Sequence, residues 1–118
     1  VITWANVGVD PVETGLAPIT AIEKALGRAG MSIGDVDLWE INEAFCAVPV
    51  AVTRKLGIDQ SITNVNGSGA SLGHPIAATG ARMIVTMLGE LARRDASLGV
   101  VSMCAGGGMG AAMVIKRA

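Results

Sequence analysis

The sequence predicts a layered α/β fold: a five-stranded mixed sheet with helices on both faces, in the order β-α-β-α-β-α-β-β, its last strand antiparallel. Three observations carry this. Short runs rich in β-branched residues alternate with longer stretches of helical period. Those longer stretches link strands that should run parallel, because a parallel pair needs a long crossover. The last two β-branched runs are separated only by Ala105–Gly108, a connection short enough for nothing but an antiparallel hairpin.

Val1–Val9 reads as the first strand, ended by Asp10-Pro11. Pro18 opens a helix in which Ile19, Ile22, Leu26 and Ala29 form one apolar stripe, and Gly30 supplies its stop. Met31–Asp35 is a connection and Val36–Ile41 the second strand. Glu43–Leu56 is helical in composition and stops at Gly57, but Pro49 must kink this helix or delay its start. Ile62–Asn66 reads as a buried third strand. Pro75–Arg94 is the longest helix, apolar around most of its circumference and so expected between two layers, with Gly80 as a close-packing contact. Leu98–Met103 and Met109–Ile115 are the fourth and fifth strands. No internal repeat, linker or low-complexity segment interrupts the pattern.

Residues 1–118 suit one domain, with room for a single core. The chain is 51% hydrophobic with a mean hydropathy of +0.53, yet no apolar run reaches the roughly 18 to 20 residues that cross a bilayer. Neither a membrane span nor a secretory leader is expected. A net charge of −1 with scattered signs excludes the electrostatic footprint of nucleic-acid binding. Two distant cysteines, Cys46 and Cys104, suggest a reduced, cytoplasmic setting. The apolar excess has a second reading, a face of a larger protein that something else covers.

The candidate chemistry lies where three predicted strands end. Asn42 follows the second strand, His74 sits in a Gly-rich loop after the third, and Cys104 follows the fourth. In an open parallel sheet all three fall beyond the carboxyl edge, where ligands bind. His74 is the only histidine, and Pro75 after it looks like the first position of the long helix. A helix N-terminus favours the neutral ring, as a general base requires, though the same placement suits a mere helix cap. Asn42 could equally cap a helix beginning at Glu43, and Glu43 reads as a favourable charge at that start rather than a catalytic acid. Cys104 could be a small buried hydrophobe, but Gly106, Gly107 and Gly108 follow it, with N–H groups free to face an anion. Cys46, in an apolar helical stretch, reads as core. Gly67, Gly69 and Gly73 could also form a phosphate-binding loop. That alternative lacks an acid at the end of the next strand to hold a ribose.

Asn42-Glu43-Ala44-Phe45, Gly73-His74-Pro75 and Cys104-Ala105-Gly106-Gly107-Gly108-Met109-Gly110 resemble the three C-terminal motifs of the thiolases, in order and in spacing. Val9-Asp10-Pro11 and Asn64-Val65-Asn66-Gly67 agree as well, so the resemblance covers essentially the whole chain. It implies the C-terminal domain of a two-domain thiolase, interconverting two acyl-CoA molecules with 3-ketoacyl-CoA and CoA. In that family His74 would match the base that activates a nucleophilic cysteine and contributes to an oxyanion hole. Asn42 would match the residue that orients a water in that hole. Cys104 would match the acid/base at the α-carbon, Gly106 an N–H donor to the acyl-enzyme carbonyl, and Phe45 a pocket wall. No metal or cofactor is implied, since coenzyme A thioesters are substrates.

The family nucleophile belongs to a preceding domain, and no residue here replaces it. The loop that binds coenzyme A is absent too, so the chain alone is expected to be inactive and to need an N-terminal thiolase domain. A homo-oligomer is also expected. Ser68-Gly69-Ala70 and Ala77 depart from many relatives and leave acyl-chain preference open. Two other readings compete. A ketoacyl-synthase-type condensing enzyme fits less well because of Cys104 in its Gly-rich turn. A non-catalytic module that kept the fold fits less well because all three polar positions carry working chemistry.

Overall fold

The hairpin predicted from the shortness of Ala105–Gly108 forms the backbone of the sheet. In a computed structural model describing every residue from Val1 to Ala118, β3 (Leu98–Ala105) and β4 (Met109–Lys116) pair antiparallel along their whole lengths. β1 (Thr3–Gly8) adds antiparallel to the outer side of β4, and β2 (Leu38–Ile41) adds parallel to β3. The order is β1-β4-β3-β2, so β1, β2 and β3 all run one way and only β4 runs against them. The mixed sheet and its antiparallel last strand are as predicted.

The sheet has four strands rather than five. Gln60–Ile62 is a short 3-10 turn, and of the predicted strand at 62–66 only one parallel bridge survives, Thr63 opposite Trp39. The cause is Asn64, whose backbone turns left-handed at φ 49°. Its side-chain amide then does what a strand backbone would have done. The Ile41 N–H donates to Asn64 Oδ1 and Asn64 Nδ2 donates to the Ile41 carbonyl, each at 2.8 Å. Asn is one of the few residue types that enters this backbone region readily.

The helices follow their punctuation. α1 (Ala17–Ala29) carries Pro18 in its first turn and ends at Gly30, in the left-handed conformation at φ 65°. Its buried face is Ala21, Ile22, Ala25 and Leu26. α2 (Ala47–Leu56) starts late, so that Pro49 falls in its first turn, where a missing N–H costs nothing. Both helices share one hydrophobic core with Trp39, Ile41, Val100 and Val114 on one face of the sheet. A four-residue helix, α3 (Gly69–Leu72), precedes α4 (Thr79–Arg93), which lies on the opposite face.

α4 buries Met83, Met87 and Leu91 against Leu38, Val101 and Ile115. At about 1.5–3 kcal/mol for each fully buried side chain, these three dominate its attachment. The predicted all-round burial does not hold: Val85 and Leu88, on its far side, are exposed. α4 packs mainly on β2 and β3, reaches β4 only at Ile115 and Met113, and leaves a gap toward β1. The result is an apolar groove of about 470 Å³ lined by Trp4, Met83, Ile84, Met103 and Met113 among others.

The turn between β3 and β4 is pinned to the segment after β1. The Val9 N–H donates to the Gly108 carbonyl at 2.7 Å, and the Gly108 N–H donates to Thr14 Oγ1 at 2.9 Å. Gly108 sits at φ 82°, and a Cβ there would lie 2.2 Å from the Val9 carbonyl oxygen. Only glycine fits both the conformation and the space.

Candidate active site

Asn42 continues the ladder past β2, its N–H donating to the Ser102 carbonyl at 2.9 Å, and it is fully buried. It does not cap α2, because that helix begins only at Ala47, with Cys46 at its N-cap. Glu43 consequently does not stand at the start of α2. Its Oε2 accepts the Ala70 N–H at 3.1 Å, tying the end of β2 to the Gly-rich loop. The two stretches lie so close that a Cβ at Gly69 would sit 2.7 Å from Asn42 Oδ1.

His74 lies one turn further from the helix than Pro75 suggests. The N–H groups of Ala78 and Thr79 both point at the Pro75 carbonyl, at 2.6 and 3.1 Å, and the regular helix starts at Thr79. Two side chains hold the half-buried ring instead of a helix end. Nδ1 lies 2.7 Å from Thr79 Oγ1, and Nε2 lies 3.4 Å from Asn42 Nδ2.

Cys104 is the penultimate residue of β3 rather than the residue after it, and belongs to the core shared with α1 and α2. Burial pushes its thiol up, so the resting form is protonated. The packed-hydrophobe reading holds for its burial, and Cys104 also borders an open cleft of about 780 Å³. His74, Phe45, Gly106, Thr14 and Ile76 line the same cleft. Asn42 is sealed beneath it with Oδ1 unpartnered, and touches the cleft through His74. The structure thus brings together His74, Asn42, Cys104, Gly106 and Phe45.

Cys46 does not belong to the core. It is exposed, because the late start of α2 leaves it in the link before the helix, and it does not line the cleft. The cleft therefore holds one thiol and one imidazole. Nowhere do three His, Cys, Asp or Glu side chains converge as metal ligands would.

Sequence reasoning missed the supports of the site. Arg82, on α4, donates through Nη1 to Glu40 on β2 at 3.2 Å and through Nη2 to Ser68 Oγ at 3.1 Å. The signal was present, since Glu40 is the one charged residue in a strand that is buried at every position. Burial outweighs the attraction of Arg82 and raises the Glu40 carboxyl to about 7. Between pH 4.5 and 7 the folded chain therefore binds a proton here that the unfolded chain has released. The contribution of Glu40 to stability is full below pH 4.5 and is lost as pH rises through 7, by on the order of 3 kcal/mol. Urea midpoints of Glu40→Gln and the parent should diverge in their pH slopes across that window, the variant being flatter. Parallel slopes would show that Glu40 titrates normally.

Comparisons with known proteins show the family and the fold. The family described as "Thiolase, C-terminal domain" matches residues 1–117. The acetyl-CoA acetyltransferase of Shinella zoogloeoides is 54% identical over 116 residues, which is 98% of this chain and 30% of that protein. The cytosolic acetyl-CoA acetyltransferase of Mus musculus is 45% identical over 117 residues, 99% of this chain and 30% of its own. Among solved structures, the Bacillus anthracis acetyl-CoA acetyltransferase superposes with a TM-score of 0.96 at 46% identity. Human mitochondrial 3-ketoacyl-CoA thiolase does so with a TM-score of 0.96 at 43% identity. Each match covers 99% of this chain and 30% of the solved one, so the chain spans about a third of the length of its relatives.

Proposed function

The chain belongs to the thiolase family as its C-terminal domain, and on that premise we propose that it forms the acid/base half of an acetyl-CoA acetyltransferase-type active site. The reaction interconverts two acyl-CoA molecules with a 3-ketoacyl-CoA and CoA. The observation that supports this reading most is the joint placement of His74 and Cys104 on one cleft, an imidazole beside a thiol held protonated.

In this reading a cysteine of an N-terminal thiolase domain attacks the thioester carbon. His74 takes its proton and returns it to the departing CoA thiolate. Cys104 passes its own proton to His74, neutral again once CoA has left, and the thiolate so formed removes the α-proton of a second acetyl-CoA. The enolate carbon then bonds to the acyl carbon as the acyl–sulfur bond breaks, and His74 returns its proton to the released cysteine. In thiolysis Cys104 gives that proton back, which suits its raised pKa. The Gly106 N–H and the Asn42–His74 pair face the oxygens on which charge develops. Phe45, 65% exposed here, becomes a wall of the acyl pocket. The N-terminal domain also covers the groove beside α4, where Trp4 is otherwise exposed, and the far side of α4 with Val85 and Leu88.

A chimera tests this directly. Replacing the matching segment of the Shinella zoogloeoides enzyme with residues 1–118 should give a protein that cleaves acetoacetyl-CoA with CoA. A soluble, folded chimera without turnover would overturn the assignment.

A further inference from the structure

We propose that Thr79 is a positioning residue that holds His74 in the tautomer the Asn42 amide selects, accepting the Nδ1–H so that Nε2 keeps its lone pair. The inference deepens the reading of His74 as the base of an acyl-transfer site and rests on it for its kinetic consequence only. Three facts carry it. Thr79 Oγ1 is 2.7 Å from Nδ1, the shorter of the two contacts that hold the ring. Thr79 is completely buried at the first position of α4, so this hydroxyl does not exchange its partner with bulk water. On the other side of the ring, Asn42 presents Nδ2 to Nε2, and an amide nitrogen can only donate. A donor on Nε2 requires an acceptor there, which places the one proton of the neutral ring on Nδ1 and makes the Thr79 oxygen its acceptor.

The spacing also explains why this residue lies five positions after the histidine. Pro75 and the turn closed on its carbonyl carry the chain once around before the helix begins, which returns position 79 beneath the ring. The complete burial of Thr79 and its 2.7 Å contact with Nδ1 hold the hydroxyl in place. Replacing it with Val conserves shape while removing the acceptor.

His74 is the only histidine in the chain, so 15N labelling of histidine in the 118-residue protein gives one pair of ring nitrogens. The parent and Thr79→Ser should show protonated Nδ1 and bare Nε2 in the neutral ring. Thr79→Val should show the tautomers mixed or reversed. In the complete enzyme, Thr79→Val should lose about 10- to 100-fold in kcat, the scale of removing a group that orients a reacting imidazole, with KM little changed. Thr79→Ser should recover most of it. A parent spectrum with the proton on Nε2, or a Thr79→Val spectrum identical to the parent, overturns the proposal, and the first of these needs no variant to fold. The tautomer shift with an enzyme that never turns over would leave Thr79 as the orienting group and overturn the acyl-transfer reading instead.

Discussion

The 118-residue chain by itself should produce no acetyl-CoA from acetoacetyl-CoA and CoA above background. Covalent acyl transfer needs an activated nucleophile, and an adjacent base or a lowered pKa is what activates it. Neither thiol here qualifies. Cys104 is buried with its pKa pushed up, which is the reverse of activation. Cys46 is exposed in the link before α2 and does not line the cleft that His74 borders. The loss is therefore complete rather than graded, because no alternative covalent route exists. Rigorously purified chain assayed by loss of the 3-ketoacyl-CoA is the test, with a Cys46→Ser control. Turnover that disappears with Cys46→Ser would sink this account and assign the nucleophile to Cys46.

In a complete enzyme, His74→Ala and Cys104→Ala should fail at different half-reactions. Cys104→Ala removes the group that exchanges a proton with carbon and leaves the base beside the nucleophile untouched. It should still take up an acetyl group from acetyl-CoA, visible as an added acetyl mass, while α-proton exchange and condensation fall by at least about 10²–10⁴-fold. His74→Ala should slow the acylation itself. The separation follows from their mounting. Cys104 is fixed by the β3 ladder and the core beneath it, His74 by Thr79 and Asn42. Removing one leaves every support of the other in place, apart from the small cavity under Cys104. Equal loss of acylation in both variants, or intact α-proton exchange in Cys104→Ala, would show the roles to be wrongly divided.

The punctuation of the chain was legible and its tertiary substitutions were not. Pro18, Gly30, Pro49 and Gly57 act through local sterics, so α1 and α2 begin and end where those residues require. The hairpin followed from the length of a connection. The run Ile62-Thr63-Asn64-Val65 has strand composition, and nothing local reveals that Asn64 would turn its backbone over and offer its side chain to Ile41. The start of α4 was misplaced for a similar reason. Pro75 is compatible with a first helical position, but its carbonyl is used to close a turn. Of the site, the three motif residues could be named from sequence because each follows a run of strand-like composition, although in the structure only Asn42 directly follows a strand. Thr79, Arg82 and Ser68 could not, since their value lies in what they touch: an imidazole, a buried carboxylate and each other. The exposed flank of α4 looked like a buried one because its composition is apolar throughout. The sequence records a surface meant to be covered and does not say by which chain.

The amide of Asn64 has one more effect, on how sheets grow. A strand at a sheet edge offers unpaired N–H and C=O groups to any extended chain that meets it. At β2 that offer is withdrawn: Ile41 spends both its backbone groups on the Asn64 side chain, and the Trp39 carbonyl accepts the Asn64 N–H at 2.8 Å. A side chain, unlike a strand, presents no further edge of its own. Extension by a foreign strand is thus blocked at β2 and left to β1, the other edge of the sheet, where Arg28 Nη1 donates to the Trp4 carbonyl at 2.7 Å.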